Sequence, residues 1–133
     1  MENTMAMVDA SERKQNTTVW IAQGILCLAF GVSGIMKLTL SIETLTSILT
    51  WPGALPPEIV RLIGVAEIAG AMGVVLPMLT GIRPILTSYA AFGLMVLMIG
   101  ALGYHLMLFQ GGMLIPSIAL GCLSAYVGVR RMP

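Results

Sequence analysis

The stretch EIVRLIGVAEIAGAMGVVL, residues 58–76, decides how this chain is read. A helix needs about 20 mostly apolar residues to cross the hydrocarbon of a bilayer, and this stretch supplies them with ionisable groups only at Glu58, Arg61 and Glu67. Outward from it, three more segments have the same character, at about residues 19–37, 84–108 and 113–129. The whole chain of 133 residues is 57% hydrophobic and 10% charged, with a mean hydropathy of +0.93. Ordinary soluble domains are roughly 25% charged, so a membrane class follows and a separate catalytic domain has no room.

The expected fold is all-α: an antiparallel bundle of four transmembrane helices, with a short interfacial helix between spans one and two. Residues 1–18 are polar and mixed in charge and read as a flexible cytoplasmic arm, leaving 19–133 as a single four-span membrane domain. Span one is too long for the apolar region of a signal peptide and no A-x-A-like site follows it, so it is expected to stay attached. Between Leu38 and Pro57, apolar Leu38, Ile42, Leu45 and Leu49 recur at helical spacing among Thr, Ser and Glu43, as in a helix lying at the interface. Trp51 precedes Pro52 and Gly53 and reads as an interface anchor at its end. Span two is expected to end at Pro77, span three to begin at Pro84, and Gln110-Gly111-Gly112 to turn the chain into span four, with no break near the middle of any span.

Arg13, Lys14, Arg83, Arg130 and Arg131 fall on one side of this layout and Lys37 and Arg61 on the other. The bias of basic residues to the inner face then predicts a multi-pass protein of the inner (plasma) membrane with both termini cytoplasmic. A net charge of +1 without a basic stripe argues against nucleic acid as a partner. The two cysteines, Cys27 and Cys122, lie in apolar segments without C-x-x-C spacing, so no metal site is signalled; the eleven Met read as gap fillers. Small residues at Gly31, Gly34, Gly70, Gly73, Gly93, Gly100, Gly103 and Gly121 are expected to let the helices approach closely.

Ionisable groups within spans are costly, about 2.5–3.5 kcal/mol each on insertion scales, and mark functional positions by default. Glu67 lies nine residues past Glu58, about 13 Å along a helix, on a face shared with Gly64, Gly70 and Ala71. The topology places Lys37, Arg61 and His105 at the same, non-cytoplasmic end, so four polar side chains from three spans are candidates for one ligand-binding or buried polar cluster. Lys37 is the expected counter-ion of Glu67, while Arg61, about 120° round the helix, can serve head groups or the interfacial helix instead. A buried pair that only fixes helix register is the competing reading of the same residues.

Three segments carry a family resemblance: SGIMKL (33–38) closing span one, RLIGVAEIAGAMG (61–73) in span two, and GYHL (103–106) ending span three. In order and spacing they resemble the DoxX-like family of small four-helix bacterial membrane proteins, over almost the whole chain after the arm. The resemblance implies a membrane subunit or accessory of a redox system, as in a thiosulfate:quinone oxidoreductase, with Lys37, Arg61, Glu67 and His105 at the family's polar positions; in that reading the cluster is expected to bind a quinone head group or another small oxidised ligand. Relatives often follow the His with basic and polar residues, whereas Leu106-Met107-Leu108-Phe109 stands here. The chain itself carries no flavin, haem or nicotinamide motif, so it is not expected to catalyse alone; electrons would come from an oxidoreductase partner. A small proton-coupled transporter working as a homo-oligomer, and an assembly or scaffolding protein presenting its lipid-facing surface to a membrane partner, remain as alternatives.

Overall fold

The computed structural model describes all 133 residues, and they are helical almost throughout. The elements are α1 (Glu2–Thr39), α2 (Ile42–Leu49), a 3-10 turn (Pro52–Ala54), α3 (Pro57–Gly73), α4 (Leu76–Thr80), α5 (Ile85–Met107), a second 3-10 turn (Gly111–Met113) and α6 (Leu114–Arg131). Four helical segments are long and apolar enough to cross a membrane: Glu2–Thr39, Pro57–Thr80, Ile85–Met107 and Gly111–Arg131. Their ends alternate. Arg61, early in α3, reaches the end of α1; Trp51 touches Tyr104 and His105 at the end of α5; Arg131, closing α6, meets Gln23 near the middle of α1, where the apolar part of that helix begins. The four spans are therefore antiparallel, with a Lys37 end and an Arg131 end. Leu28, Leu62 and Ile99 point outward, as side chains do when lipid rather than water surrounds the bundle.

The N-terminal arm differs from expectation: residues 2–18 are helical, exposed and continuous with span one. Met, Ala, Glu, Arg, Lys and Gln there are good helix formers, no Gly or Pro interrupts them, and a span that is already helical supplies the costly nucleus. The interfacial helix is α2, capped by Ser41, whose Oγ accepts from the Thr44 amide. It turns Leu45 into a small core with Trp51 and Val60 and leaves Glu43, Thr44 and Ser47 exposed.

Span two is also different. It does not end at Pro77 but breaks three residues earlier and resumes as α4, with Pro77 in the first turn of the new helix. Proline has no amide proton and clashes with the preceding turn, so a helix can restart at it but not run through it unperturbed. The break lies at Val74 and Val75, toward the Arg131 end. Inside a membrane a freed carbonyl has no water to turn to. The Val74 carbonyl instead accepts from the Gln23 side-chain amide, and the Oε1 of Gln23, which is fully buried, accepts from Arg131 Nε at 2.8 Å. Arg131 also donates to Asn16 Oδ1 at 2.8 Å and lies over the Trp20 ring.

Helix contact follows small residues, though not all those expected. A Cβ on Gly34 would stand 2.7 Å from the Gly64 carbonyl oxygen, and one on Gly64 would stand 2.9 Å from Lys37 Cβ, so α1 and α3 cross backbone against backbone. Gly70 takes Leu94, Gly73 takes Ala90 and Gly128 takes Phe92. Gly93, Gly100 and Gly103 have no such neighbour within 4 Å; these glycines of span three leave space rather than close it. The main core, built on Leu26, Phe30, Val74, Leu94 and Val127, fills the Arg131 half of the bundle.

Replacing Gln23 by Leu leaves the Val74 carbonyl and the partly exposed Arg131 Nε without partners, and the buried carbonyl alone costs about 1–3 kcal/mol. The expected outcome is a clear drop in Tm of the detergent-purified protein, part of which Pro77→Ala restores by letting α3 continue and the Met78 amide take up that carbonyl. A Gln23→Leu protein that melts like the wild type would contradict this role.

Candidate functional site

Lys37 is set in the last turn of α1, on the face that Gly34 presses against α3. Its ammonium donates to both oxygens of Glu67, at 3.1 and 3.0 Å, and to the hydroxyl of Ser33 one turn earlier. The two charged side chains are 4% and 5% exposed, so the pair is enclosed by protein rather than snorkelling to the surface. A buried ion pair is tolerated only when the geometry is good and the remaining donors are satisfied. Here all three ammonium protons have acceptors.

Arg61 stands apart from this pair. Its guanidinium donates to the backbone carbonyls of Lys37 and Leu40, the orphan acceptors at the end of α1. A cation at a helix C-terminus is also favoured by the helix dipole. Of the four polar residues proposed from sequence, the structure gathers Lys37, Glu67 and His105 round one space. Arg61 is placed one layer behind, clamping the backbone that carries Lys37.

That space is a cavity of about 460 Å³ in the Lys37 half of the bundle, within the usual range for small-molecule sites. All four spans and the Trp51 turn contribute to its walls, which are mainly apolar, with Phe30, Ile63, Leu97 and Leu120 among them. Gly100 lies on its α5 side, where the absent side chain helps keep it open. Its polar lining is Ser33, Lys37, Glu67, Tyr104 and His105, with Ser117 contributed by α6.

Trp51 departs from the role of an interface anchor. It is buried, 8% exposed, between the pair and the end of α5. Its ring lies 5.5 Å below the Lys37 ammonium and meets Tyr104 and His105 edge to face, with centroids 6.4 and 6.3 Å away. The α2 helix and the Pro52 turn fold back over the bundle end, and this carries Trp51 inward. The His105 ring is held as well: Nδ1 is 3.0 Å from Gln110 Oε1, and the Gln110 amide donates to the His105 carbonyl.

Sequence reasoning did not assign Ser33, Tyr104, Gln110 or Gln23 a site or latch role. Gln23 carried a readable signal, an amide inside an apolar run. Ser33, one turn before Lys37, could have been found from the i, i+4 spacing. Gln110 is placed only by the turn geometry after α5, which no local pattern shows. Cys27 packs beside the main core and Cys122 is exposed; both are free thiols.

If the pair is buried as seen, Glu67→Gln leaves an uncompensated ammonium and costs about 3–5 kcal/mol, whereas Lys37→Met with Glu67→Leu removes both charges and recovers most of the loss. Thermal melting of the two proteins in detergent checks this; equal melting of the single and double variants would contradict it.

The sequence profile of the DoxX-like family matches residues 21–127, from the first turns of span one to the end of span four. No curated protein and no solved structure matches the chain.

Proposed function

The chain belongs to the DoxX-like family, and we propose that within it this protein is a ligand-binding membrane accessory of a redox system, taking a quinone head group into the cavity beside Lys37, Glu67 and His105. The observation that carries the reading is the cavity itself: a space of ligand size, mainly apolar, with polar groups and three aromatic rings in its lining. A purely structural ion pair needs no such space around it. The residues fit a flat ring with oxygen substituents, because Trp51, Tyr104 and His105 offer ring edges and faces while Ser33, Glu67 and His105 offer hydrogen-bonding atoms. A bound quinone would supply two-electron carrier chemistry, with an oxidoreductase partner as the source of electrons.

The part of this chain is to bind, orient and exchange protons. His105 and Glu67 are groups able to exchange a proton with a bound oxygen substituent. Lys37 holds Glu67 in place, and Arg61 holds the end of α1 that carries Lys37. Basic residues at the Arg131 end support an orientation with both termini cytoplasmic in a bacterial inner membrane, which puts the cavity in the outer leaflet. The reading prefers binding over transport because the one break in a span is at the opposite end from the cavity.

Trp51 makes the test direct. The chain has two tryptophans, so a Trp20→Phe background isolates the one in the cavity wall. Titration with a short-chain benzoquinone in nanodiscs is expected to quench Trp51 fluorescence saturably. Gly100→Leu, which fills the cavity from a position with open space beside it, is expected to abolish the saturable component. Quenching that is linear in quinone and indifferent to Gly100→Leu would sink the binding role and favour a scaffold with a structural ion pair.

A further inference from the structure

We infer that the cavity selects the reduced, hydroxyl-bearing form of an aromatic carrier, a hydroquinone, over its carbonyl-bearing oxidised form; this rests on the cavity being a ligand site. The argument is an inventory of hydrogen-bonding sense. A carbonyl oxygen can only accept, whereas a hydroxyl both donates and accepts.

Lys37 looks like the natural donor to a carbonyl, but it has nothing left to give. Its three protons go to Ser33 and to the two oxygens of Glu67. Glu67, a carboxylate held by that ammonium, keeps lone pairs beyond the two that Lys37 occupies and can only accept.

His105 is fixed in the same sense by Gln110. The atom facing Nδ1 is the amide oxygen, 3.0 Å away, and an amide oxygen accepts. With the Gln110 amide oxygen turned to the ring, Nδ1 is the donor of this contact, and the neutral ring then keeps a lone pair on Nε2, which makes no hydrogen bond within the protein. The backbone bond from the Gln110 amide to the His105 carbonyl, 3.0 Å, holds the two residues in register for this contact.

The remaining groups do not reverse the balance. The Tyr104 hydroxyl rotates to donate or accept, Ser33 already accepts from Lys37, Ser117 donates to the Met113 carbonyl and keeps only lone pairs, and the indole N–H of Trp51 is a fixed donor that a hydroxyl oxygen can satisfy as well as a carbonyl can. A hydroquinone thus meets every group in the wall. A quinone sets its carbonyl lone pairs against the remaining lone pairs of Glu67 and that of His105 Nε2 and brings no donor to either. Three aromatic rings in mutual edge-to-face contact specify that the hydroxyls are carried on a flat ring. Gln110 is then a positioning residue: it touches no ligand, and it acts by choosing which nitrogen of His105 is the acceptor.

A hydrogen bond to a charged group contributes about 1.5–3 kcal/mol, which corresponds to roughly ten- to a hundredfold in affinity. The test is anaerobic calorimetry on the nanodisc-embedded protein with a short-chain ubiquinone analogue and its chemically reduced form. The reduced form is expected to bind ten- to a hundredfold more tightly. Gln110→Leu, which frees the tautomer of His105, is expected to lower the ratio by the share that His105 carries and to leave the share of Glu67. A general weakening of the site would lower both affinities together, and a Gln110→Leu protein that binds both forms with the full wild-type ratio overturns the role given to Gln110 and His105. Equal binding of the two forms, or tighter binding of the oxidised one, overturns this inference and leaves the cavity standing as a quinone site. Absence of binding by either form overturns both.

Discussion

A carboxylate and an ammonium, each costly to insert alone, share a membrane-spanning bundle here because they meet inside it. Lys37 sits on α1 and Glu67 on α3, so their contact at 3.0 Å requires those helices to lie close and in one register. The crossing of Gly34 over Gly64 supplies the closeness. The clamp of Arg61 on the last carbonyls of α1 fixes the height at which Lys37 is presented. Were either helix to slide by a turn, two unpaired charges would face hydrocarbon. The pair is thus a constraint on the fold as much as a feature of the site, and the cavity inherits its shape from it.

The two ends of the bundle answer the same physical demand in different ways. Lipid cannot hydrogen-bond a stray backbone group, so every irregularity needs a partner from within the protein. At the Arg131 end the irregularity is the broken span two, and the partner is the Gln23 side chain, itself held by Arg131. At the Lys37 end it is the terminus of α1, and the partner is Arg61. The Arg131 half is packed solid round Phe30 and Leu94, whereas the Lys37 half keeps a cavity lined by residues of all four spans. Glycines that close contacts on α1, α3 and α6 and leave room on α5 account for part of that asymmetry.

Much of this was legible because a bilayer writes strong rules into sequence. Long apolar runs gave the four spans, the recurrence of Leu45 and its neighbours gave the interfacial helix, and an isolated Glu67 with Lys37 within reach pointed to a pair. What escaped depends on how turns fold back in three dimensions. Trp51 reads as an anchor from its place before Pro52 and Gly53, and only the packing of α2 onto Val60 carries it inward. Arg61 shares a helix with Glu67 but serves the neighbouring backbone, a choice decided by where α1 ends. The helicity of residues 2–18 was hidden by their polarity, which argues for solvent but not against a helix seeded by the span that follows.

The central claim is that Lys37 and Glu67 form an enclosed ion pair in the bilayer. Solid-state NMR in lipid, with 15N-labelled lysine and 13C-labelled glutamate, measures that contact directly. Only Lys14 and Lys37 contribute side-chain nitrogens, and Lys14→Arg assigns the signal. The account predicts strong dipolar coupling between the Lys37 ammonium and the Glu67 carboxyl carbon, consistent with both oxygens lying at 3.0 and 3.1 Å. A folded protein in which that coupling is absent would contradict it.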